Sequence, residues 1–182
     1  MDAYAVLDRV YVRRESGSVG LQATVLSAFK TAVWEGEGGR LWRIALSQLD
    51  QCRVNNVNTG DLQCIEIRQF CRLLERLDVF NNDETMQLLT ERTVKYYNVF
   101  FNDAVRTAGN EQLPTIINEK LQWELTFQRA AFPESSHTGL STVVKKCLIG
   151  DRLQVFCGTV LPTAFEKQDT LVLLLLYQLC LV

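Results

Sequence analysis

Proline is scarce in this chain. Pro114, Pro133 and Pro162 are the only three in 182 residues, so long stretches lack the residue that removes an N–H and clashes with the preceding helical turn. Histidine is scarcer: His137 stands alone, leaving no second imidazole for a zinc site. Six cysteines are present, yet no two are spaced Cys-x-x-Cys, and the first residues, Met1–Leu7, already include Asp2 and hold no long apolar run. No secretory leader is read there. The thiols therefore read as reduced and buried in an intracellular protein, not as a disulfide framework or a metal site.

Long apolar runs are also missing. The most apolar stretch, Leu171–Val182, follows Lys167 and Asp169 and falls short of the roughly twenty residues that a membrane span needs. It reads as a buried final helix or an oligomer contact, with no membrane partner. Phosphate-loop chemistry is missing too, since Gly36-Glu37-Gly38-Gly39 follows no strand pattern and carries no lysine. No paired carboxylates suit a dinuclear metal. His137 lies among Ser135, Ser136 and Thr138, a polar setting that reads as an exposed loop and a solvated side chain. The expectation is a protein that is not an enzyme, with no catalytic residues, metal, cofactor or small-molecule substrate.

What remains is a globular composition, 47% hydrophobic and 22% charged with a formal net charge of −2. Apolar residues recur at helical spacing almost throughout. Residues 2–15 and 19–34 read as helices, Glu35–Gly39 as a flexible break, and 40–52 as a third helix. Arg53–Gly60 reads as a loop and the best unit boundary. Asp61–Gly109 reads as two long helices joined at Asn81-Asn82, with Asn81 and Glu84 as a capping pair and Gly109 as a left-handed terminator. Asn110 and Pro114 open the next helix. Leu140–Leu161 follows, broken at Gly150 with Asp151 capping the restart, and Pro162 ends it before a last helix from Ala164. No strand–helix alternation occurs, so a parallel sheet is excluded. The predicted fold is all-α, six to eight helices in two packed halves: residues 1–57 as an N-terminal helical unit and 58–182 as a C-terminal one.

The helix after Asp61 has two chemically different sides. Ile67, Phe70, Cys71, Leu74 and Leu77 form its apolar stripe, while Arg68, Arg72 and Arg76 stack at successive i+4 positions. An ordinary solvated face explains such a row, with Glu75 beside Arg72. The functional reading is a phosphate-contacting row, because the guanidinium fork pairs with phosphate oxygens regardless of base sequence. Arg9 and Arg13 near the start, and Lys145, Lys146 and Arg152 near the end, extend the candidate phosphate-contacting set. Tyr96, Tyr97, Phe100 and Phe101 fit core packing better than base stacking.

Several short segments resemble the small RNA-silencing suppressors of closteroviruses. They are Val25-Leu26-Ser27-Ala28-Phe29, Glu66-Ile67-Arg68-Gln69-Phe70, Asn82-Asp83-Glu84-Thr85, Glu119-Lys120-Leu121 and the stretch Leu140–Leu161. The resemblance implies an all-helical viral protein of the host-cell cytoplasm, assembling as a ring-like homo-oligomer. It also implies sequence-independent binding of short double-stranded RNA. Of the arginines, only Arg68 falls inside a matching segment. The alternative is a viral helical-bundle interaction module whose groove accepts a partner's amphipathic helix, acting on cell death or immunity; its apolar C-terminus is then the docking surface.

Overall fold

A computed structural model of the chain describes residues 20–181. The helix read over residues 2–15, and with it Arg9 and Arg13, lies outside the described residues. Among those residues every element is helical, and the all-α expectation holds. In chain order they are α1 (Leu21–Phe29), α2 (Glu35–Asn55), α3 (Leu62–Arg76), α4 (Asp83–Thr107), α5 (Leu113–Ala131) and α6 (Glu134–Leu148). The short α7 (Leu153–Val155), α8 (Leu161–Glu166) and α9 (Thr170–Leu181) complete the series. Six of these helices have 12 residues or more and carry most of the packing.

Glu35–Gly39 does not break the chain. A π-helical turn, Lys30–Trp34, passes α1 directly into α2, and Gly36, Gly38 and Gly39 lie inside the helix. Gly38 is buried for a steric reason: a Cβ there would stand 2.6 Å from Cδ2 of the Trp34 ring. The helix then runs through Arg53 and stops at Asn56, whose φ of 48° and ψ of 49° make the left-handed cap. Burial of the Leu46, Leu49 and Cys52 face carries helix into a segment that composition assigns to a loop.

Other ends move by small amounts. Asn82, not Asn81, caps α4, its side chain accepting from the Thr85 N–H at 2.7 Å. The helix then runs 25 residues, as its period predicts, and leaves through extended Ala108 without a left-handed Gly109. Pro114 sits in the first turn of α5, but Asn110 donates to Thr163 instead of capping. Pro133 precedes α6, which starts at Glu134, so His137 is helical and half-buried, with Nε2 3.0 Å from the Phe132 carbonyl. Gly150 does mark a break, a short 3-10 turn, although no side chain caps the restart. Pro162 lies in the first turn of α8, after a π-helical turn over Phe156–Val160, and does not end the segment. The last helix begins at Thr170, where Asp169 Oδ1 accepts the Leu171 and Val172 N–H groups at 3.1 Å.

The core has two apolar layers. The first joins Trp42, Leu46 and Leu49 of α2 to Ile67, Cys71 and Leu74 of α3, to Leu89 and to Phe127. The second joins Tyr97 and Phe101 of α4 to Ile117 and Leu121, to Val144 and Leu148 of α6, and to Val172, Leu176 and Leu179 of α9. α4 and α5 run through both layers. The side chains they present between the layers are polar: Thr93 on α4 and Glu124 on α5.

Candidate functional site

That polar layer is the most heavily bonded place in the protein. Arg53, fully buried, donates from Nε to Glu124 Oε2 at 3.2 Å and from Nη2 to Glu124 Oε1 and Thr93 Oγ1, each at 2.9 Å. Glu124, equally buried, also accepts from Tyr97 Oη at 2.6 Å and from Gln128 Nε2 at 2.9 Å. Burial drives the Glu124 carboxyl pKa up, but Arg53, its hydrogen bonds and those from Tyr97 and Gln128 outweigh this and hold it below the usual range. Burial also raises the Tyr97 phenol pKa, and the Glu124 charge adds to it, so that it lies well above normal.

Lys120 closes the layer from the side. Its Nζ donates to the Arg53 carbonyl and to Asn56 Oδ1 at 2.7 Å, the negative end of α2. It also stands 4.3 Å from the Trp123 ring centre, with Tyr96 and Phe100 behind. Burial pulls its pKa down to about 8; the Glu124 charge pulls the other way without cancelling it, and the Arg53 charge adds to the lowering. The aromatic residues of α4 thus serve packing and a lysine cage.

These residues were not legible as a site because Arg53 and Glu124 are 71 positions apart. One signal was present. Arg53 continues the Trp42, Leu46, Leu49 register, and Glu124 continues the Ile117, Leu121 register. A charge in an apolar stripe needs a buried partner.

The arginine row divides. Arg68 is half-buried and bonded inward, Nε to the Ala130 carbonyl at 2.6 Å and Nη2 to the Thr59 carbonyl at 3.0 Å. Arg72 is exposed and lines a cavity of about 590 Å³ with Arg68, Arg129, Glu75, Glu134 and His137. Arg76 is exposed and lies outside that cavity. Arg152 donates to Asn98 Oδ1 at 2.6 Å and packs 4.9 Å from the Phe101 ring centre. Lys145 and Lys146 line a different cavity, about 520 Å³, together with Ile149, Leu153, Leu179 and Cys180. Arg68 and Arg72 share one cavity, Lys145 and Lys146 another, and Arg76 and Arg152 line neither.

Beside the lysines lies an almost wholly apolar cavity of about 350 Å³, walled by α7–α9 with Phe156, Phe165, Leu176 and Tyr177 among its residues. It shares Ile149, Leu153, Leu179 and Cys180 with the lysine-rimmed cavity. Phe165, Leu171, Leu174, Tyr177 and Leu181 are each more than half exposed. Cys157 and Cys180 are exposed thiols here, against the expectation of burial, whereas Cys52, Cys64, Cys71 and Cys147 are buried as expected. Burial pushes the Cys71 thiol up to about 12. Among the described residues no helix is long and apolar enough to cross a membrane.

No curated protein and no solved structure matches the chain. A family model does, and it covers residues 1–181, where the closterovirus likeness rests on short segments. Helices stacked side by side around a layered core, with one end left apolar, agree with it. The chain belongs to the family of the cullin alpha solenoid domain.

Proposed function

We propose that this chain is a helical scaffold module whose job is to hold a protein partner, and that the partner docks a helix into the apolar groove of α7–α9. The single observation that carries this reading is the groove itself. Soluble domains rarely leave a contiguous patch of large apolar side chains in water unless something covers it. Phe165 and Tyr177 line the groove and are more than half exposed, and Leu171, Leu174 and Leu181 extend an exposed apolar face of α9 beside Tyr177. A further amphipathic helix laid beside α9 covers that face as the next helix covers its neighbour in a solenoid. Family membership supports a scaffold, and the buried polar layer keeps the α2–α4–α5 frame rigid behind it.

Phe165→Asp and Tyr177→Asp place charges at exposed positions that line the groove, where the fold tolerates them. Each should weaken binding of an amphipathic helical peptide by about tenfold or more, the size expected of a central anchor residue. Unchanged affinity in both variants, with folding intact by circular dichroism, would reject the groove.

A second reading keeps the RNA-silencing suppressor idea, including a ring-like homo-oligomer. It is supported by Arg72 and Arg129, which reach one cavity from two helices and form no ion pair among the described residues. In that reading short duplex RNA lies against the α3–α5 end, affinity falls steeply with salt, and Arg72→Ala with Arg129→Ala weakens a gel-shift. Absence of any shift at low salt would dismiss it.

A further inference from the structure

The apolar groove fixes where a helix lies but not which way it points, since an apolar trough accepts either direction. Direction comes from charge at one end. Here the end is marked. The two cavities that share Ile149, Leu153 and Leu179 differ in charge: the one toward α6 carries Lys145 and Lys146, and the one toward α9 carries no charged residue. Lys145 is half-buried and Lys146 is exposed, and both line the cavity. Neither ammonium is in an ion pair among the described residues. The two lie in the last turn of α6, where the helix's own carbonyl end favours positive charge. That local role accounts for a lysine there, but it does not account for the uncharged trough that opens beside both.

We propose that the helix docked in this groove is acidic at the end that reaches α6, so that Lys145 and Lys146 receive its carboxylates while its apolar face fills the cavity beside Leu153 and Tyr177. The inference rests on the groove being a helix-docking site. A second copy of α9 does not meet the requirement. Thr170–Leu181 contains no acidic residue, and Asp169 at its start already accepts two backbone N–H groups. The partner is therefore a different helix, apolar along one face with glutamate or aspartate clustered in one terminal turn.

The test uses two synthetic amphipathic peptides titrated against the whole protein by fluorescence anisotropy. They share a leucine face, and one ends in three glutamates where its twin ends in three glutamines. The expected result is about tenfold tighter binding of the glutamate peptide at low salt, a gap that closes at high salt. The double variant Lys145→Gln/Lys146→Gln should erase the gap while leaving the glutamine peptide's affinity unchanged. Light scattering should show the protein's own mass unaltered by these substitutions. Equal affinity of the two peptides for wild type, or a gap that survives in the lysine variant, overturns the inference and leaves the groove intact. Failure of both peptides to bind overturns the groove reading and the inference together.

Discussion

Arg53 and Glu124 hold each other at zero exposure, so breaking the pair leaves a buried charge alone. Glu124→Ala should cost about 3–5 kcal/mol in urea unfolding, because it leaves a buried guanidinium uncompensated. Replacing the pair by Arg53→Met with Glu124→Leu should cost clearly less, since no lone charge is then left inside. The pH dependence follows from Glu124. Its folded pKa lies below the unfolded value, so its contribution is present above about pH 4.3 and is lost as pH falls through the folded value. Lys120 acts in the same direction over a more alkaline window. Its folded pKa of about 8 is lower than the unfolded one near 10.4, so the unfolded chain binds more protons between them. Stability therefore gains from Lys120 as pH rises through that window. Lys120→Met should flatten the alkaline part of a urea-midpoint profile, and Glu124→Gln the acid part; a profile unchanged by either would contradict the polar layer.

At the scale of elements, the glycines of α2 discriminate between packing and flexibility. Gly36 has open space where a Cβ would go, and Gly38 has the Trp34 ring. Gly36→Ala should raise stability by about 0.5–1 kcal/mol through better helix propensity, whereas Gly38→Ala should lower it by about 1–3 kcal/mol through overpacking. Thermal midpoints that shift the same way in both would mean the segment is not helical. This contrast also shows why period was readable and punctuation was not. The stripes of α3, α4 and α5 follow from local spacing, because each apolar residue reports its own helix face. Three glycines in five residues report only a local preference, which a half-buried tryptophan four residues upstream of Gly38 overrides. The loop read over Arg53–Gly60 begins three residues later than composition suggests, because buried Arg53 keeps the helix going to Asn55; residues 56–60 are the loop, with the Val57 and Thr59 carbonyls held by Trp123 and Arg68. The serines and glycine around His137 suggest a loop, yet Pro133 caps a helix there instead of spacing it.

For the whole molecule, the two apolar layers with a polar sheet of side chains between them divide labour. The α2–α5 frame is over-determined by hydrogen bonds, and the α7–α9 end is apolar, lightly bonded and open. The arginine row was legible in the sequence as a charged helix face, while the groove was not, since it is built from Leu153, Phe165 and Tyr177 on three separate short helices. Only the intense apolarity of the C-terminus pointed there. Amide hydrogen exchange with and without the glutamate-ended amphipathic peptide tests the scaffold reading most directly. The groove predicts slowed exchange confined to residues 153–181 and the last turn of α6. Slowing that appears instead around Arg72 and Arg129, or nowhere, would contradict it.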